Sequence, residues 1–151
     1  MLKVLDVLKS KGNNIWSVTS QEIAYKALEI MADKDIGALL VIDEGQLVGI
    51  FSERDYARKV ILKGKSSKET TVGELMTTPV LSISPDKSIE ECMALMTVAR
   101  NRHMPVIEAG KLVGMVSIGD VVNVIIAKQK LEIDDLKNYV TGSGYSSGTD
   151  S

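Results

Sequence analysis

The 151 residues include a single cysteine, Cys92, so no internal disulfide framework can hold this chain together. Charge of one sign is lacking too. A formal net charge of −2 gives no general attraction to nucleic acid or to an anionic membrane. No run is long and apolar enough to span a bilayer. The opening Met1-Leu2-Lys3-Val4-Leu5-Asp6 carries charge inside its apolar stretch and has no small-residue cleavage site, so it does not read as a signal peptide. A cytoplasmic address is the expectation. The chain also lacks a Walker loop, a His/Cys/Asp metal cluster and a nucleophile motif, so no catalytic residue and no metal ligand is expected. There is no helix-turn-helix candidate either. What remains is ordinary globular composition, 44% hydrophobic and 25% charged.

What the sequence does have is a copy of itself. Shifted by 65 positions, Ser17 to Ile61 lies over Ser82 to Ile126 without a gap. Gly45-x-Leu47-Val48-Gly49 falls on Gly110-x-Leu112-Val113-Gly114, and Ser52-x-x-Asp55 on Ser117-x-x-Asp120. Repeats dictate architecture. Two units of this size imply a pseudo-twofold pair with two equivalent clefts at the seam.

Each repeat reads as strand, helix, strand, strand, helix. In the first, Ile15 to Val18 is extended, and Thr19 with Glu22 has the spacing of a capping box that opens a helix. Ala24, Ala27, Leu28 and Met31 form one apolar helical face. Strands follow over Ala38 to Ile42 and Leu47 to Phe51, then a helix from near Ser52 to Leu62. In the second, Ser84-Pro85 reads as cap and first helical residue, with Ile89, Cys92, Met93 and Met96 inward. Strands follow over Met104 to Ile107 and Leu112 to Val116, and the last helix extends from Ile118 towards Asn138. The expected boundaries are an N-terminal helix (1–14) with Val4, Leu5 and Leu8 inward, repeats over 15–62 and 80–138, a linker over 63–79 with a short helix from Thr71 to Met76, and a flexible tail over 139–151. A unit of two or three strands and two helices is too small to bury a core alone. The fold expected is therefore mixed α/β (α+β): two β-α-β-β-α repeats packed sheet to sheet, with a core of Ile42, Leu47, Ile50, Val106, Leu112 and Val116 and the helical faces above.

The duplicated Ser-x-x-Asp ends a strand and opens a helix, and it has two readings. One is a serine cap with an acidic residue where a helix N-terminus favours it. The other is a site: the carboxylate accepts hydrogen bonds from a ribose diol, and free N–H groups of the helix face a phosphate. Trp16 is either a core or edge aromatic or a stacking surface for adenine. His103 is either a packed residue or, with Arg100 and Arg102, part of a polyphosphate site. Arg54, Arg58, Lys59 and Lys63 form either a solvated face or a source of phosphate ligands. Cys92 reads as a buried small hydrophobe.

In both halves, Gly-hydrophobic-hydrophobic-Ser-x-x-Asp joins strands such as Ala38-Leu39-Leu40-Val41-Ile42-Asp43 and His103-Met104-Pro105-Val106-Ile107-Glu108. The combination resembles a tandem pair of cystathionine-beta-synthase-type (CBS) domains, a Bateman module, over residues 15–126. Ser52 to Val60, followed by Ser66-Ser67-Lys68, is similar to small stand-alone bacterial and plant-organelle members of that family. The resemblance implies adenosine-containing ligands: AMP, ADP, ATP or NAD(H), with S-adenosylmethionine behind them. None of these would be a catalytic cofactor. In one cleft it implies Asp120 at the ribose, Ser117 by the phosphate, Met115 on the base, and Arg102 and His103 near the phosphates, with Met104 and Gly119 also lining it. Lys11, Trp16, Ile36, Gly37 and Ala38 come from across the seam. In the other it implies Asp55, Ser52, Ile50 and Arg54, with Val80, Leu81, Asn101 and Arg102 from across the seam. The aromatic at 16 and the basic His103 make the Asp120 cleft the tighter expectation.

The function expected is regulatory: a module that senses energy or redox state through its ligand and signals to an effector protein, without nucleic acid or membrane. A homodimer is expected, with the helices after Ser52 and Ser117 at its interface. The alternatives are a nucleotide-hydrolysing enzyme and a ligand-independent interaction adaptor.

Overall fold

The structure, a computed structural model, describes residues 1–12 and 14–140. The glycine- and serine-rich stretch from 142, for which a flexible tail was expected, lies outside the described residues. Residues 139 and 140 are the end of a helix rather than the start of a tail.

Each repeat builds a small sheet. In the first, β1 (Ser17–Val18) pairs parallel with β2 (Ala38–Asp43), which pairs antiparallel with β3 (Gln46–Ser52). In the second, β4 (His103–Glu108) and β5 (Lys111–Ser117) form an antiparallel pair. Ile83 bridges Val106 in parallel, as Val18 bridges Val41, so the third strand survives there as a single contact. Both hairpins shift register at the same place, Val41/Ile42 and Val106/Ile107. The repeat seen in the letters is a repeat in backbone geometry.

Strand alternation sorts the side chains. Ala38 and Leu40 point to the seam, where they cluster with Ile50 of the same repeat and Met115 of the other. Leu39, Val41 and Phe51 point the other way, onto α2 (Ala24–Lys34). The sheets therefore meet face to face, as expected, and of the expected core residues Ile50 lies in the seam cluster itself. Ile42, Leu47 and Leu112 only flank the seam cluster. Val106 and Val116 are fully buried but belong to the second repeat's own core, against α5 (Ile89–Ala99), because their strand parity turns them from the seam. Leu28 and Met93 are half-buried beside their cores, and Cys92 is completely buried.

The helices before each repeat are exchanged. α1 (Val4–Lys11) lies ahead of the first repeat but packs into the core of the second through Val4, Val7 and Leu8. α4 (Val72–Leu75) lies ahead of the second repeat but packs into the core of the first. Leu5, expected to face inward, is 42% exposed. The stripe that docks is Val4, Val7 and Leu8, at helical spacing.

Two helix starts also differ from expectation. α2 begins at Ala24, not at Thr19. Ser20 instead donates from its N–H (2.9 Å) and its hydroxyl (2.6 Å) to Asp43, while the amides of Ala24 and Tyr25 donate to Thr70 and Ser67 carbonyls at 2.8 and 2.9 Å. α5 begins at Ile89 with Ser88 as its cap; the Ser88 hydroxyl accepts from the Glu91 N–H at 3.0 Å. Ser84-Pro85 lies in the turn before it, and the Pro85 and Lys87 carbonyls accept from the first amides of α1 at 2.9 and 2.8 Å. In both repeats the earlier cue serves a tertiary turn, so the helix opens later.

α3 (Glu53–Tyr56) runs on as one π-helical segment, Ala57–Ile61, and the second repeat closes with α6 (Ile118–Val140).

Candidate ligand site at the seam

The ends of β3 and β5 fix the duplicated motif. The Glu53 N–H donates to the Gly37 carbonyl at 3.0 Å, and the equivalent Ile118 N–H to the Arg102 carbonyl at 2.9 Å. Each helix therefore opens against the start of the neighbouring strand. The Ser52 hydroxyl accepts from the Asp55 N–H at 3.1 Å, and Asp55 Oδ2 accepts from the Ser52 N–H at 2.9 Å. Ser117 and Asp120 repeat this at 3.1 and 2.8 Å. The cap reading of Ser-x-x-Asp therefore holds in both copies. It leaves Oδ1 of Asp55 to other partners: the Thr77 hydroxyl donates to it at 3.0 Å, and the Lys59 ammonium lies 3.4 Å away.

A cleft of about 690 Å³ opens beside Asp55. Gly37, Ile50, Ser52, Glu53, Arg54, Asp55, Arg58 and Lys59 line it from the first repeat, with Thr77 from the linker and Ala99 to His103 from the second. Five of these residues are cations, Arg54, Arg58, Lys59, Arg100 and Arg102, against two carboxylates. Arg54 reaches across the seam, donating from Nη1 to the Arg100 carbonyl at 3.1 Å. The Asn101 side chain accepts from the His103 N–H at 3.2 Å and shapes the crossing. Gly37 is there for close approach: a Cβ on it would stand 3.3 Å from Glu53 Oε1 and 3.5 Å from the His103 ring.

The Asp120 side is built differently. Lys11, at the end of α1, donates from Nζ to Asp120 Oδ2 at 2.6 Å and to the Met115 carbonyl at 2.8 Å. Burial pushes the Asp120 pKa up, but the Lys11 hydrogen bond, the Ser117 N–H, the Lys11 charge and the Ser117 hydroxyl together hold it below the usual carboxylate value. Under the 65-residue shift, Arg54, Arg58, Lys59, Arg100 and Arg102 correspond to Gly119, Asn123, Val124, Asp35 and Gly37. None of these is cationic.

The duplicated framework decides the family. The CBS-domain pattern matches residues 6–61 and 72–127. This chain is a CBS-domain pair. It is 40% identical, over 152 aligned residues, to the mitochondrial CBS domain-containing protein CBSX3 of Arabidopsis thaliana, covering 94% of this chain and 73% of that one. A solved CBS-domain protein of Burkholderia ambifaria is 51% identical, covers 84% of this chain and 96% of its own, and superposes with a TM-score of 0.82. The CBS pair of protein MJ0100, solved with 5′-methylthioadenosine and S-adenosylmethionine, is 25% identical with a TM-score of 0.74, covering 85% and 98%. CBSX3 is named mitochondrial, so the family does not by itself fix a cytoplasmic address. Among the described residues, no helix is long and apolar enough to cross a membrane.

The remaining site residues of this CBS pair fall in several places. His103 lines the Asp55 cleft, although it was expected in the other one; it also feels the charges of Asp120 and Lys11. Nor is it a ready cation. Desolvation lowers its pKa, Lys11 and Arg102 lower it further, and Asp120 opposes them. Met104 is completely buried in the second repeat's core, one residue out of phase with the seam-facing side of β4. Ala38, Ile50 and Met115 form the seam cluster, and Val80 packs against it. Ile36 packs on the first repeat's core. Leu81 and Gly119 are exposed. Trp16 is 37% exposed, and the Lys34 ammonium sits 4.5 Å over its ring. The sequence reading missed Thr77 and Glu53. Thr77 carries no local signal, because its role arises from an isolated bridge to Ile50.

Proposed function

We propose that this CBS-domain pair is a regulatory module that binds an adenosine nucleotide at its seam, with the Asp55 cleft as the phosphate-rich site. The observation that carries the reading is the cleft itself: five cations against two carboxylates, Asp55 and Glu53, around one cavity of about 690 Å³. Arginine forks match phosphate oxygens geometrically. A carboxylate offers about four lone-pair positions, so the ribose hydroxyls share Asp55 with Ser52 and Thr77 or displace Thr77. This charge balance favours ADP, ATP and NAD(H) over AMP. It disfavours S-adenosylmethionine, whose sulfonium is itself a cation. The Asp120 cleft, with Lys11 on its carboxylate, is the site for an adenosine ligand of low charge. The adenosine compounds bound by MJ0100 lend support to the ligand class. The module acts by shape rather than turnover: ligand biases the two repeats by its differential affinity for their arrangements, and an effector protein reads the result. In this reading it is a cytoplasmic homodimer, with the helices after Ser52 and Ser117 at its interface.

Thermal unfolding with ATP, ADP, NAD, AMP and S-adenosylmethionine, beside GTP and inorganic triphosphate, tests the reading. A ligand at about 100 times its dissociation constant adds about 2.7 kcal/mol if it binds only the folded state. ATP or NAD should stabilise the wild type, and the Arg102→Ala variant much less. No shift with any adenosine compound, or an equal shift with inorganic triphosphate alone, would refute it.

A further inference from the structure

The family pattern ends at residue 127, but α6 continues to Val140, and every residue from Ile126 to Val140 is exposed. That is about 22 Å of helix standing beyond the domain. A solitary helix of this length is marginal in water, so it needs a neighbour. Its exposed face supplies the pattern of one. Val122, Ile126, Gln129, Ile133, Leu136 and Val140 recur at alternating spacings of four and three. This is a heptad seam, with Ile126, Ile133 and Val140 at one core position and Val122, Gln129 and Leu136 at the other. The first position is β-branched throughout and Leu136 sits at the second, a combination that favours two parallel strands, with Gln129 as a polar residue that sets the register. The apolar members range from 41% exposed at Val122 to 74% at Val140.

The flanking charges choose the partner and its direction. In a parallel, in-register pair, Glu132 faces Lys137 of the other helix, and by symmetry twice. In an antiparallel pair, glutamate would face glutamate and lysine lysine. Residues 126–140 carry three lysines against three carboxylates, so the helix has no net positive charge to draw it to an anionic membrane. We infer that residues 122–140 form a parallel two-stranded coiled coil with a second copy of this chain. The inference does not depend on which ligand the clefts take.

The test uses the full chain with Ile133→Cys or, separately, Val140→Cys, oxidised with copper phenanthroline and run on a non-reducing gel. Wild type is the control, since its one thiol, Cys92, is buried. Both variants should give a disulfide-linked dimer, because only in-register parallel helices bring both positions onto their own copies. Ile133→Asp should weaken the dimer about tenfold or more in sedimentation equilibrium while leaving the thermal midpoint of the domain in place, since the side chain is exposed. Cross-linking at one position alone means antiparallel helices and overturns the inference. A dimer that cross-links at neither position associates through the domain faces only, and overturns it too. A monomeric wild type does the same.

Discussion

Replacing Lys11 by methionine removes the ammonium and keeps a side chain of similar length. Two bonds are lost, to Asp120 Oδ2 (2.6 Å) and to the Met115 carbonyl (2.8 Å). A hydrogen bond to a charged group is worth about 1.5–3 kcal/mol when protected, and an exposed ion pair about 0–1. The side chains here are 31% and 23% exposed, between those limits. The expected cost at pH 7 is therefore about 1 to 2 kcal/mol, or roughly 2–8 °C in Tm for a chain of this size. The pH dependence carries the stricter test. The Asp120 pKa is depressed in the folded protein, so its contribution is present above the ordinary carboxylate pKa and is lost as pH falls through the lower, folded value. Urea unfolding of wild type and Lys11→Met should differ at pH 7 and converge in the acid range, leaving only the share of the Met115 bond. Equal midpoints at pH 7 would mean that Lys11 is not held on Asp120, and that α1 does not guard that cleft.

The folded-state pKa of His103 is lowered, chiefly by burial, so the unfolded chain binds its proton more readily and stability should fall as pH drops below about 6.5. That limb should be absent in His103→Gln, and an NMR titration of the one histidine should show the depressed value directly. Gly49→Ala should cost about 1–3 kcal/mol, because its Cβ would stand 2.5, 2.9 and 3.1 Å from Met76 Sδ, Cγ and Cβ. Gly114→Ala should cost less, since its single approach under 3.0 Å, at 2.7 Å, is to a terminal methyl of Leu8, whereas two Met76 atoms lie that close to Gly49. Chemical denaturation of the two variants compares them. Ser88→Ala should lose about 1 kcal/mol as a true cap, whereas Ser84→Ala should stay within about 0.5 kcal/mol; the reverse order would restore Ser84 as the start of the helix.

The internal repeat was legible in the sequence because both copies obey the same local physics. Short continuous apolar runs make Ala38–Asp43 and His103–Glu108 strands buried on both faces, and the glycine after each leaves a tight turn. Ser52-x-x-Asp55 and Ser117-x-x-Asp120 cap helices with partners three residues away, so their geometry was readable from spacing alone. The choice of cap for α2 and α5 was not. Ser20 and Pro85 are engaged by residues distant in sequence, and a local rule cannot see Asp43 or α1. The same limit applies at the seam. The letters name Asp55 and Asp120 as equivalent, but packing makes them unequal. Chain crossing brings Arg54, Arg58, Arg100 and Arg102 round the first, and the exchange of α1 lays Lys11 on the second. Sequence by itself determined the repeat, the strands and the two carboxylates, because those depend on neighbours within a few residues. Only the tertiary structure decided which carboxylate faces an open, cationic cleft, because that depends on contacts between residues as far apart as Lys11 and Asp120.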